Sequence, residues 1–446
     1  MQKGRISLIE AIAMAVGTMI GASIFSIFGV GVQIAGRDLP LAFIVSGIYA
    51  AMVAYSYGKM GSKIVSNAGP IAFILKGIGD SPLTGTLSIL MWLSFVVSIS
   101  LFASGFAGYF MPLVGLSAPI LKTGTEVLVI ALFGSLNYFG GSRAVGRAEF
   151  WIVLAKLTVL CIFIVAGFTV LHPDYLNPDV SPAGLQGTLT ASIIFFLSYM
   201  GFGLVTNASE NMENPQKNVP RAIYISIFLV MIVYIGVSIA AIGSLPVEQL
   251  QEYGENALAV AAEPALGKFG FLLLSIGALF SISSALNATL YGGANVAYAL
   301  MKDGELPMPE EYSRKEWFSE HLGLYLTGTL GMVFVLFFNI GEIASITSLI
   351  MTVIYIFVLY SHVLLADEIG GHRGIVFFNL MIISLVAMEL IINQWHKDKP
   401  LFFSSLAIFI GSYLAEMLYY RRRRGLKESL FRREAVRKRL EHITGV

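Results

Sequence analysis

Long apolar runs separated by short polar stretches dominate the chain. Twelve such runs lie near residues 8–34, 41–64, 83–112, 124–140, 150–171, 187–208, 222–244, 269–300, 323–340, 343–366, 374–393 and 401–420. Runs of this length match the roughly 30 Å of bilayer hydrocarbon that a helix must cross. They are continuous rather than alternating with period two, which excludes a transmembrane barrel. The pattern predicts one all-α polytopic membrane protein with twelve transmembrane helices, counted below as spans 1 to 12. The fourth run is the weakest, with Gly134 and Asn137 inside it. Between the second and third runs, SNAGPIAFILKGIG is too short to cross and reads as a re-entrant or interfacial helix.

Composition sharpens this picture. Only 13% of the 446 residues are charged, against about 25% in ordinary soluble domains. The formal net charge of +1 offers no field for nucleic acid, and no obligate protein partner is expected. Cys161 is the single cysteine and lies within a span. The N-terminal MQKGR leads straight into a span without a small-residue cleavage site, so it is expected to be retained.

The cations set the orientation. Threading twelve spans from an inside N-terminus puts 23 of the 29 lysines and arginines on one side, ten of them in the tail after span 12. Arg37, Lys122, Lys268, Lys397 and Lys399 fall on the other side. Both termini are therefore expected to be cytoplasmic, in a multi-pass cell-membrane protein. The basic tail is expected to rest on anionic lipid headgroups.

Two spans carry glycine where a lipid-facing helix would prefer large aliphatics. Span 1 reads AVGTMIGASIF, and span 6 reads IIFFLSYMGFG with Gly201 and Gly203 flanking Phe202. Five spans separate them, so each heads a five-span block, the second inverted relative to the first. Interrupted helices at matching places in two inverted halves point to a transporter's binding site. Opened backbone cannot face lipid, but it can line a polar cavity. A half-helix N-terminus attracts a carboxylate and a C-terminus an ammonium, which together describe a site for a zwitterion. Close packing of helices through small residues is the competing explanation.

Lys156 sits in WIVLAKLTVLCIFIVAG, about six residues or roughly 9 Å into span 5 at 1.5 Å per residue. A charge at that depth marks a functional site unless its stem reaches back to the headgroups. Desolvation weighs against the charged form, which suits a group that takes up and releases a proton. The six histidines show no ligand spacing, so no metal site is expected. Neither H-E-x-x-H nor G-x-S-x-G occurs, which argues against an intramembrane enzyme. A channel would want an open polar path or a charged ring.

With GTMIGASIF, FFLSYMGFG, ENMENPQKNVPRAI and AYALMKDGELP in this order, the chain resembles the amino acid–polyamine–organocation superfamily of transporters, and within it the proton-coupled amino acid transporters. The resemblance implies a LeuT-like five-plus-five inverted repeat with broken helices 1 and 6, working by alternating access. Residues 1–172 would form the first repeat, 186–368 the second, 369–420 helices 11 and 12, and 421–446 the cytoplasmic tail. It implies that Ile20, Gly21, Ala22 and Ser23 meet the substrate carboxylate, and that carbonyls near Phe195, Phe196 and Ser198 meet the amino group. Tyr199, Gly201 and Phe202 would shape the side-chain pocket. Lys156 would be the proton carrier, its ammonium near Gly17 and Ser283 or Ser284, where sodium-coupled relatives hold a cation. No cofactor is implied beyond the proton as coupling ion.

Two features qualify this. Ser23 stands where many relatives have glycine, and the paired serines of span 8 are possible sodium ligands. The compact Gly201-Phe202-Gly203 argues for small or neutral L-amino acids. An exchanger or a sodium-coupled amino acid or amine transporter of the same fold is the alternative, and a channel the alternative of another class. ENMENPQKNVPR is expected to be an inner gating loop or a plain turn.

Overall fold

The computed structural model describes residues 6–66, 68–140, 145–303 and 316–418. Its elements are helices. Span 1 is Leu8–Ala35, span 2 Leu39–Lys63, span 3 Pro82–Leu113, span 4 Pro119–Gly140 and span 5 Val145–Thr169. Span 6 starts as Pro182–Phe195, span 7 is Pro215–Ser244, span 8 Glu263–Asp303, span 9 Glu316–Phe337, span 10 Ile340–Leu364 and span 11 Arg373–Lys397. Span 12 is Lys399–Leu418. Among the described residues, ten helical stretches are long and apolar enough to cross a membrane; Ser23–Lys63 takes in the end of span 1 and all of span 2, while Leu8–Gly21 and Leu322–Phe337 are shorter. The basic tail (421–446) lies outside the described residues.

Local chemistry fixes where the helices begin. Ser7 and Glu10 form a capping box at the start of span 1, and Asn339 and Glu342 form another at span 10. Each box satisfies two N–H groups that the helix itself leaves without partners. Proline in the first turn opens spans 2, 3, 6 and 7, where its missing N–H costs nothing. The segment between spans 2 and 3 folds as a short helix, Pro70–Ile78, entered through Gly69 at φ 56°. Span 8 is bent near its start at Gly267, φ 60°.

Burial sorts the spans. The most apolar windows of spans 3, 6 and 10 are 83%, 78% and 72% buried, those of spans 4 and 12 only 17% and 22%. The first group forms the centre. The second turns Leu128, Leu132, Leu136 and Leu418 outward as a lipid-facing surface. Span 3 packs on spans 8 and 10, span 2 on span 7, and span 1 on spans 5, 6, 7 and 8. The backbone just before span 1 pairs with the turn after span 6: the Ile6 N–H donates to the Asn211 carbonyl at 2.8 Å, and the Glu213 N–H to the Ile6 carbonyl at 2.9 Å.

The two glycine-bearing spans behave differently from one another. Span 1 does not break; it winds as one α-helix of 28 residues. Its small residues are used for close packing instead. A Cβ at Gly21 would lie 3.1 Å from the Ala285 Cβ of span 8 and 3.4 Å from Lys156 Nζ. The hydroxyls of Thr18 and Ser23 donate back to the carbonyls of Met14 and Met19, tying them to the helix. Span 6 does change geometry. Its α-helix ends at Phe195, and Phe196–Gly203 continues as an eight-residue 3₁₀ helix before the last turn, Leu204–Asn207. Runs of 3₁₀ longer than three or four residues are uncommon and mark a hinge or a segment under strain. Gly201 sits where the two spans cross: a Cβ there would come within 2.8 Å of the Met19 backbone nitrogen.

Candidate functional site

The crossing of spans 1 and 6 exposes a row of carbonyls inward, and side chains from three other spans reach them. Lys156 of span 5, 3% exposed, donates from Nζ to the Gly17 carbonyl at 2.5 Å. Ser281 of span 8 donates to the Gly21 carbonyl at 2.8 Å and lies 3.5 Å from that of Ile20. The Tyr234 hydroxyl of span 7 lies 2.5 Å from the Met19 carbonyl, 3.1 Å from the Ser198 carbonyl and 2.9 Å from Ser23 Oγ. The Ser23 hydroxyl itself donates to the Met19 carbonyl at 2.6 Å. A phenol has one proton to give. The cluster around Tyr234 is therefore rich in acceptors and short of donors, the electrostatic surroundings that suit an ammonium.

Span 6 carbonyls are met in the same way from the opposite side. Ser46 of span 2 donates to the Ser192 carbonyl at 2.9 Å, and Ser348 of span 10 to the Ile193 carbonyl at 2.8 Å. The Tyr199 hydroxyl donates to the Phe43 carbonyl at 3.0 Å and its ring packs edge-on to Tyr234, centroids 5.3 Å apart. Below it, Phe202 stacks on Tyr355 at 5.9 Å and meets Tyr57 edge-on at 5.2 Å. Phe196 lies against the same Tyr355 ring at 5.2 Å. Phe195 packs on Phe43 at 4.4 Å.

The structure thus gathers Gly17, Gly21, Ser23, Lys156, Ser198 and Tyr199 into one buried neighbourhood. Ile20, Gly21 and Ser23 lie inside the continuous helix of span 1, so their N–H groups serve its hydrogen-bond ladder rather than an open carboxylate nest. The side chain of Ala22 lies outside the described residues. Ser283 and Ser284 are half-buried, two and three residues beyond Ser281 on span 8. The Ser198 hydroxyl is buried without a hydrogen-bond partner among the described residues. Sequence reasoning missed Tyr234 and Ser281. Each is a polar residue within an apolar run, and Ser281 precedes Ser284 by three positions, so a serine face on span 8 was the available signal. No group of three or more metal-ligating side chains occurs among the described residues.

The described residues form a multi-pass helical membrane protein with a buried polar centre between crossing helices, and its relatives put it in the class of membrane transporters. The sequence pattern of the amino acid permease family matches residues 6–414. The chain belongs to that family, within the amino acid–polyamine–organocation superfamily, and is a transporter rather than an enzyme. It is 59% identical over 418 residues to an uncharacterized protein of Methanocaldococcus jannaschii, covering 93% of this chain and 95% of that one. It is 28% identical to the inner membrane transport protein YbaT of Escherichia coli, over 93% of this chain and 95% of that one. It is also 28% identical to the branched-chain amino acid permease BcaP of Lactococcus lactis, over 67% and 68% of the two chains.

Proposed function

We propose that this permease imports small or neutral L-amino acids together with a proton, by alternating access, with Lys156 as the proton carrier. The observation that carries this reading is the Lys156 Nζ on the Gly17 carbonyl, buried at the junction of spans 1, 5 and 8. As an ammonium it tethers span 5 to span 1. As a neutral amine it loses much of the strength of that bond, because charge-assisted hydrogen bonds are roughly twice as strong as neutral ones. Proton release would then free the spans to move apart. The substrate ammonium would take the acceptor-rich place now held by Tyr234, beside the carbonyls of Met19 and Ser198. Its carboxylate would need donors from span 1, so binding would open the helix near Ile20, Gly21, Ala22 and Ser23. The apolar, aromatic surroundings of Phe202 favour a neutral side chain, in keeping with the branched-chain substrates in the name of the Lactococcus relative.

The packing supports a repeat of spans 1–5 and 6–10. Span 5 lies on span 8 as span 10 lies on span 3, span 1 on span 7 as span 6 on span 2, and span 3 on span 4 as span 8 on span 9. Each pair becomes the other when five is added to or subtracted from both span numbers. With the N-terminus inside, as the cations argue, the proton and the amino acid would both enter from the opposite face. Purified protein in lipid vesicles tests this. An inward proton gradient should raise uptake of labelled neutral amino acids several-fold, with no change when sodium is replaced by choline. Uptake that follows sodium and ignores the proton gradient would return Ser283 and Ser284 to the role of metal ligands and overturn the Lys156 reading.

A further inference from the structure

We infer that Glu126 is a second proton-binding residue, and that its protonation lets the turn between spans 7 and 8 close over the central cluster. It lies away from Lys156, at the face opposite Ile6.

The 3₁₀ turn Gly254–Asn256 is wedged between spans 1 and 3. A Cβ at Gly29 would collide with the Gly254 carbonyl, and one at Gly108 would come within 2.5 Å of Glu255 Oε2. The turn fits only because both helices are bare there. Its latch is an ion pair: Lys122 Nζ of span 4 stands 2.6 Å from Glu255 Oε1. One helical turn deeper on span 4, Glu126 is only 5% exposed. The charged groups acting on it are Lys122 and Glu255, and the Ser104 hydroxyl of span 3 faces its carboxylate. Tyr109 of span 3, next to Gly108, feels the charge of Glu255. Its hydroxyl is buried and has no hydrogen-bond partner among the described residues.

The closed cluster therefore sets two carboxylates against one ammonium. Glu255 takes the lysine. A second carboxylate beside it, out of water, is left without a cation of its own and is disfavoured. One proton on Glu126 cancels that charge and turns the like-charged pair into a carboxylate and a carboxylic acid. The protonated acid also has an O–H to donate, and the Ser104 hydroxyl faces it as an acceptor. When the turn lifts, Glu255 leaves, and Lys122 is free to pair with Glu126. The closed form thus holds one more proton than the open form. Raising the pH on this side then favours opening, by up to about tenfold per pH unit.

Ser26 reports the motion. It is fully buried on span 1, one turn below Gly29 and against Gly105 of span 3. Full-length protein carrying Cys161→Ser and Ser26→Cys, in lipid vesicles, is labelled with a membrane-impermeant maleimide from the face bearing Lys122. Comparing variants at each pH cancels the thiol's own titration. The parent should label progressively faster than the Glu126→Gln variant as pH rises, because the amide mimics the protonated acid and keeps the turn shut. Lys122→Gln, which leaves two carboxylates without a cation, should need a lower pH to close. Identical pH profiles for the parent and Glu126→Gln would overturn the proposal, as would an unshifted profile for Lys122→Gln. A profile that moves with sodium against choline would assign the site to a metal cation instead, and overturn it too. None of these readouts depends on proton-driven uptake.

Discussion

At the residue scale, the centre of the protein is organised by who supplies hydrogen to the carbonyls of span 1. Lys156, Tyr234 and Ser281 come from three different helices and meet the carbonyls of Gly17, Met19 and Gly21. Replacing Lys156 with Ala should abolish gradient-driven uptake while exchange of labelled for unlabelled substrate persists. Proton-driven accumulation equal to that of the parent would show that the lysine is only structural. Tyr234→Phe removes a hydroxyl that, on the proposed reading, competes with the substrate ammonium. It should tighten substrate binding by about fivefold, the worth of one net hydrogen bond of roughly 1 kcal/mol, as measured by calorimetry; weaker binding would mean the phenol contacts the substrate directly. Lys156 was legible in the sequence because it lies inside an apolar run, away from its ends, where other spans carry no lysine. Tyr234 was not, because a lone tyrosine among aliphatics reads equally as packing, and only the fold brings it against spans 1 and 6.

At the scale of elements, the glycine pattern fell in span 6 on a helix that narrows from α to 3₁₀ and in span 1 on a helix that does not break. Glycine both loosens a helix and lets another helix approach, and the sequence contains no partner to say which use prevails. In span 6 the change from α to 3₁₀ begins at Phe196, and the glycines at positions 201 and 203 stand at its end. In span 1 the partners are Ala285 and Lys156, which fill the space that a side chain at Gly21 would need. Gly21→Leu should therefore push spans 1, 5 and 8 apart, lower stability by about 1–3 kcal/mol through overpacking, and abolish substrate binding. Gly201→Leu should have a similar cost at the crossing of spans 1 and 6. Thermal unfolding of the detergent-solubilised variants measures both. Parent-like melting would mean that the helices are not in close contact there.

For the whole molecule, the helical multi-pass architecture was plain from hydrophobicity alone, since its long apolar runs admit few other arrangements. The way the spans pack was not, because it depends on pairings between spans distant in the chain, such as span 2 with span 7 and span 3 with span 10. The same holds for the start of the chain. Nothing in its composition announces that Ile6 pairs with Asn211 and Glu213, joining the entry of span 1 to the exit of span 6. Ile6→Pro deletes the donor to the Asn211 carbonyl. Hydrogen exchange across residues 206–213 should then quicken by several-fold, and unchanged protection would show that the turn holds without this strand-like contact.

On the proposed reading, the hydroxyl of Tyr234 and the amine of Lys156 occupy carbonyls of span 1, and a cargo molecule would have to displace the first before it settled. Binding of that kind is a swap of partners rather than a gain of new ones, so the net grip stays modest. A carrier of that kind would gain from the economy: cargo held lightly is cargo that can be let go, and the phenol, returning to its carbonyls, would compete with the load for them.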